Sequence, residues 1–167
     1  MARRGALSRD DAIDKVWTLA ERIGICMFIT WDGERQRARP VVARVHREDH
    51  AIYFLTDEHG AKDDQIRQFP IVSLAFSDTQ ANDYVAITGR AEVSNDRARI
   101  SELFSSAFDK PWWDSEDDPA IRLITFSPED AEVWTGKGRL RIGVALIVAA
   151  ISGSQPNLGV NTKVGNL

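Results

Sequence analysis

A chain of 167 residues, 43% hydrophobic and 28% charged, has the size and composition of one soluble globular domain with a sizeable core. A formal net charge of −4 argues against a nucleic-acid binder, which usually needs a basic face. The single cysteine, Cys26, can close no internal disulfide and points to a reducing cytoplasm.

Ser8 is an N-cap type of residue, with Asp10 and Asp11 following where the positive helix end favours acids. Ile13, Val16, Trp17, Ala20 and Ile23 recur at helical spacing until Gly24 stops the run. Residues 25–31 are continuously apolar and predict a strand buried on both faces. Asp32-Gly33 marks a tight turn, 37–46 a second strand, 47–50 a polar turn and 51–56 a third strand, together an antiparallel meander. Residues 61–69 predict a short helix with Ile66 and Phe69 facing inward, ended by Pro70. Strands follow at 71–77 and 83–93, where Gly89 suggests a bulge. Asp96 caps a helix expected to reach Phe108, and a polar loop over 109–119 carries Pro111-Trp112-Trp113. Residues 120–126 and 131–134 read as two strands around a turn at 127–130, and 160–164 as a last short strand.

The longest apolar run, 142–151, falls well short of the roughly 20 residues that span a bilayer, and predicts a buried helix or strand. The basic opening Met1-Ala-Arg-Arg-Gly lacks the apolar stretch of a signal peptide, so neither membrane nor export is expected. Without repeat or linker, residues 1–167 read as a single domain. It has an N-terminal helix region at 1–24 and a C-terminal helix and short strand within 139–167. Many short strands with few helices predict a mainly β fold, a β-barrel with helices.

No CxxC, HExxH, phosphate-loop or GxGxxG motif is present, and no spacing suggests a catalytic triad. His46, His50 and His59 are unclustered, so no metal site is expected; Cys26 lies in an apolar run and reads as a small buried hydrophobe. One constellation is more informative. Arg39-Pro40 begins one strand, Leu55-Thr56 ends the next, and Lys62 opens the short helix beyond. An arginine, a hydroxyl, a lysine and free helix N–H groups are what a phosphomonoester needs. The same residues also read as ordinary solvated charges. Adjacent Trp112 and Trp113 cannot both enter one face, so one of them reads as the cap of a pocket or an interface, while each also reads as an ordinary core tryptophan. After Trp134, Lys137, Arg139 and Arg141 form a cationic run that also reads as a solvated turn.

Several landmarks then fall together: Ala38-Arg-Pro-Val, Ile52-Tyr-Phe-Leu-Thr, Lys62 with Ile66 and Pro70, and Asp83-Tyr-Val-Ala-Ile-Thr-Gly-Arg-Ala-Glu. Asp96-Arg, Trp112-Trp113 before Asp117-Asp118-Pro119, and Pro128-Glu-Asp-Ala-Glu-Val-Trp134 complete the set. In this order the sequence resembles the pyridoxamine 5′-phosphate oxidase-like superfamily of FMN-binding split barrels, and within it the general stress protein 26 branch. The resemblance implies a six-stranded antiparallel barrel and a homodimer with FMN at its interface. It implies that Arg39 and Lys62 hold the FMN phosphate, with Thr56 bonding to it from its strand end. Val41 and Val42 would run along the isoalloxazine, Tyr84 would stand where the oxidases put a ring-contacting glutamine, and Trp134 would reach the flavin from the partner subunit. Pro40 and Leu55 flank these positions.

Two departures matter. Gly60-Ala61 stands where superfamily members often carry a serine and a basic residue. Arg139-Leu140-Arg141 lacks the histidine of the oxidases' Arg-Leu-His segment, which argues against vitamin B6 oxidation. The implied function is a stress-related FMN-dependent oxidoreductase taking electrons from NADH, NADPH or another small molecule, with no side chain marked as catalytic. The alternatives are a flavin-holding stress protein without turnover, or a split barrel holding deazaflavin F420 or haem.

Overall fold

The computed structural model describes residues 7–136 and 160–167. Helix α1 spans Arg9–Ile23. The Asp11 amide donates to Ser8 Oγ at 3.1 Å, and Gly24 ends the helix in the left-handed region at φ 68°. Ala12, Val16, Trp17, Leu19 and Ala20 form its buried stripe.

Among the described residues eight strands follow rather than six: β1 (Ile25–Trp31), β2 (Gln36–Val42), β3 (Arg44–His46), β4 (Ala51–Asp57), β5 (Ile71–Asp78), β6 (Asp83–Ser94), β7 (Ile121–Thr135) and β8 (Val160–Gly165). Helix α2 (Ala61–Gln68) lies between β4 and β5, and α3 (Arg97–Leu103) follows β6. The helix expected to reach Phe108 thus ends at Leu103, and the chain continues through turns.

The sheet is antiparallel, ordered β2-β1-β5-β6-β7-β4-β3, with β8 added to β7. The expected meander is therefore corrected. β2 pairs with β1, whereas β4 pairs with β3 and β7, so β2 and β4 are not lateral neighbours. They are linked because the predicted strand 37–46 breaks at buried Ala43, whose amide donates to the Gly24 carbonyl at 2.8 Å. β2 and β3 thus sit at opposite ends of the sheet order yet are joined by one residue, which requires the sheet to curl until its ends meet.

The predicted turn at 127–130 is also absent: β7 runs unbroken for 15 residues. Its first part pairs with β4 and its second with β8, while β6 follows it from Leu123 to Thr135 across the register slip. The register slips between Thr88 and Gly89, where Pro128 removes a ladder donor. A Cβ on Gly89 would collide with the Ser127 carbonyl oxygen and lie 2.9 Å from Pro128 Cα, so glycine lets the strands approach there.

The barrel interior is filled by Phe28, Ile52, Phe54, Leu74, Phe76, Ile87, Ile124 and Phe126, closed by α1 on one side and Ile66 of α2 on another. Cys26 belongs to this core, and burial pushes its thiol up to about 12, as suits an inert hydrophobe. A second cluster packs Ala51, Tyr53 and Leu55 on the outer face of β4 against Ile100 and Leu103 of α3. β4 is therefore buried on both faces.

β1, expected to be buried on both faces, is not. Cys26, Phe28 and Thr30 point inward, while Ile25, Met27 and Trp31 are 56%, 39% and 39% exposed. Val42 and Ile71 on the neighbouring strands are exposed as well. The segments 142–151 and 137–141 lie outside the described residues; the short strand expected at 160–164 is β8.

Candidate functional site

Curling of the sheet opens a cleft of about 430 Å³ between the end of β2, the end of β4, the start of α2 and the loop after α3. Its walls include Pro40, Val41 and Val42 from β2, Leu55 and Thr56 from β4, and Lys62 from α2. Six of the nine residues singled out in the sequence thus share one cavity. β4 delivers Thr56 because alternation sends Ile52, Phe54 and Thr56 to one side, and the strand ends at Asp57. The chain then turns, with Gly60 N donating to the Asp57 carbonyl at 3.1 Å, and α2 begins at once, so Lys62 emerges one turn from Thr56. A Cβ on Gly60 would meet that same carbonyl at 3.1 Å, which keeps the turn tight.

Lys62 carries the electrostatic character of the cleft. It forms no hydrogen bond or ion pair among the described residues, and burial pushes its ammonium below the usual lysine range. The second cause is repulsion from Arg39, which Asp63 partly offsets. Arg39 does not line the cleft. Its guanidinium donates to Thr30 Oγ1 at 3.0 Å and to Gln65 Oε1 at 3.1 Å, between β1 and α2. Two cations thus stand close together, one of them bonded only to neutral oxygens. Asp63, in the first turn of α2, is buried with both carboxyl oxygens unbonded. Burial raises its carboxyl, while Arg67, Lys62 and Arg122 pull it down. The arrangement suits a group that brings negative charge and hydrogen-bond acceptors to Lys62 and Thr56.

Tyr84 and Trp134 do not line this cleft. They are direct cross-strand partners on β6 and β7, half-buried on the outward side of strands whose alternate residues fill the barrel. In a single chain they stand apart from Lys62.

The remaining walls were not singled out as site residues in the sequence. Ile25, Arg44, Asp57 and Gly60 contribute, together with Phe108, Asp109, Trp112 and Trp113 from the loop after α3. Arg44 and Asp109 form a buried pair at 2.5 and 2.6 Å to the two carboxylate oxygens. They stand 65 residues apart, a pairing no local pattern reveals. The Pro-Trp-Trp segment was a signal: of the adjacent pair, Trp113 packs on the second core cluster while Trp112 is 78% exposed. Among the described residues no group of histidine, cysteine, aspartate and glutamate could hold a metal. No helix there is long and apolar enough to cross a membrane.

A curled antiparallel sheet with a cleft where β2, β4 and α2 meet is a shape with known relatives. The sequence profile of the proteins described as pyridoxamine 5′-phosphate oxidase like matches residues 11–157. The chain belongs to that family. Among solved structures, a candidate general stress protein 26 from Jannaschia sp. CCS1 superposes with a TM-score of 0.76 at 23% identity, covering 95% of this chain and 99% of that one. The general stress FMN/FAD binding protein of Xanthomonas citri gives 0.66 at 23% identity, over 75% and 89% of the two chains. An FMN binding protein related to pyridoxamine 5′-phosphate oxidase, from Nostoc punctiforme, gives 0.60 at 19%, over 80% and 86%. At these identities the likeness is one of fold. No match is found among curated proteins. Family membership and shared fold agree with the resemblance read from the sequence landmarks.

Proposed function

We propose that this protein binds FMN, with the phosphate at Lys62 and Thr56 and the ring system along Pro40, Val41 and Val42. The observation that carries the reading is Lys62: a desolvated ammonium beside a second cation, opening on a cleft lined mostly by apolar residues. A phosphate dianion relieves that arrangement, and an apolar cleft receives a flat ring. Arg39 contributes charge from behind, through its bonds to Thr30 and Gln65. The family profile, and two solved neighbours named as FMN/FAD binding and FMN binding proteins, support the choice of ligand.

Bound flavin supplies hydride and electron transfer; this chain supplies binding, orientation and exclusion of water. We infer an oxidoreductase taking electrons from a reduced nicotinamide or another small molecule. A second reading, a flavin holder without turnover, draws on the titratable lining residues. Asp109 is committed to Arg44, and Asp57 accepts the His59 amide at 2.8 Å, so both lining carboxylates already serve the local structure.

The reading includes a homodimer. Ile25, Met27, Trp31, Val42 and Ile71 form an exposed apolar face on the side of the sheet that also carries Tyr84 and Trp134, and a second copy would bury it. Sedimentation equilibrium should then give the mass of two chains; a monomer at micromolar concentration removes the dimer.

Titration of the purified protein with FMN should give a red-shifted, structured flavin absorbance band at saturation, and NADH or NADPH should then bleach it anaerobically. Binding without bleaching by any donor supports the holder. No binding overturns the flavin reading.

A further inference from the structure

We propose that Trp112, with Phe108 beside it, is a stacking wall for the flavin ring, locked in place by the Arg44–Asp109 ion pair. The inference rests on the FMN reading and adds residues that the phosphate constellation does not contain.

Trp112 is 78% exposed and Phe108 65% exposed, and both line the cleft that holds Lys62 and Thr56. Two large aromatic side chains left open to water on one loop mark a surface made to be covered. The loop is not loosely held. Phe108 N and Asp109 N donate to the Ser105 carbonyl at 3.1 and 2.7 Å, and Trp112 N and Trp113 N donate to the Asp109 carbonyl at 2.9 and 3.0 Å. Asp109 also accepts the Ser105 amide at 2.8 Å and both bonds from Arg44, whose Nε donates to the Leu103 carbonyl at 3.2 Å. Trp113 is anchored on the second core cluster. A chain pinned at Asp109 and Trp113 has little freedom to withdraw Trp112, so its exposure is built in.

The occupant follows from the rest of the cleft. Lys62 fixes an anion at one point beside Thr56 and Asp57 at the end of β4, and the apolar lining from β1, β2 and β4 is Ile25, Pro40, Val41, Val42 and Leu55, a surface for an uncharged ring. An indole facing that space gains most from a flat, electron-poor heteroaromatic, which is what an isoalloxazine offers.

The test compares Trp112→Leu and Trp112→Phe with the wild type by equilibrium dialysis against FMN and by flavin fluorescence. An indole in contact with a flavin quenches its emission by electron transfer. Wild-type protein should therefore bind FMN in a strongly quenched form. Trp112→Leu should weaken binding by about tenfold and restore emission severalfold, and Trp112→Phe should keep most of the affinity. An unchanged thermal midpoint is expected for both, because an exposed side chain supports no core; circular dichroism checks it. A folded Trp112→Leu variant with wild-type affinity and quenching overturns the wall and leaves the flavin site standing. A wild type that does not bind FMN overturns the flavin reading, and the wall with it.

Discussion

Lys62→Ala should lose about 100-fold in FMN affinity, or roughly 2.7 kcal/mol, while the apoprotein keeps or gains stability. The two effects have opposite signs for one reason. In the free protein Lys62 is desolvated and repelled by Arg39, so its folded-state value lies below that of an unfolded lysine. Between those two values the unfolded chain binds more protons than the folded one, and stability rises with pH. Removing the ammonium removes a penalty that the free protein carries. A phosphate dianion reverses the balance: it bonds to the charged form, and its loss is the loss of a charge-assisted bond in a partly desolvated site.

The pH dependence follows. FMN affinity should fall as pH rises through the depressed lysine value, earlier than for an exposed lysine, and should fall again at acid pH as the phosphate dianion takes up a proton at about pH 6. Isothermal titration in two buffers of different ionisation enthalpy should show proton uptake on the alkaline limb. Riboflavin has the ring and no phosphate, so it should bind wild type and Lys62→Ala alike. A 100-fold loss shared by riboflavin would place Lys62 under the ring and not at the phosphate.

The closeness of Thr56 and Lys62 was legible because they belong to short, strongly patterned elements: a strand end at Thr56 and a helix start at Lys62, separated by one tight turn. Arg39 was legible as a residue but not in its contacts, since Thr30 and Gln65 reach it from elements that sequence spacing does not connect. The meander failed because Ala43 splits one predicted strand into two at opposite ends of the sheet, a consequence of barrel closure that no local propensity carries. The turn at 127–130 failed for a related reason. Ser-Pro-Glu-Asp has turn chemistry, yet β6 accommodates Pro128 through a register slip opposite Gly89, so tertiary pairing overrides it. β1 shows the reverse error: its continuous apolar run predicted two buried faces, and a single chain buries one. The second face is the surface that the proposed dimer would cover.

Asp109→Ala should destabilise the protein by about 3 kcal/mol and lower its melting temperature by roughly 10 °C. The Arg44 and Asp109 side chains are 12% and 6% exposed, so the alanine leaves a largely buried guanidinium in the cleft wall without its carboxylate. It also strips the Ser105 amide of its acceptor. Arg44→Leu combined with Asp109→Leu should recover most of the loss, because an apolar pair leaves no orphaned charge, and the cycle closed with the single variants Arg44→Leu and Asp109→Leu then isolates the pair's coupling. Stability and site architecture separate in this double variant. It should fold near the wild-type temperature yet present Trp112 less precisely, since leucines supply contact area without the two directed bonds that fix the loop. Bound FMN should then fluoresce more brightly in the double variant than in wild type at equal occupancy. Equal quenching in the two would mean that Trp113 packing alone orients the loop, and that the ion pair serves the fold only.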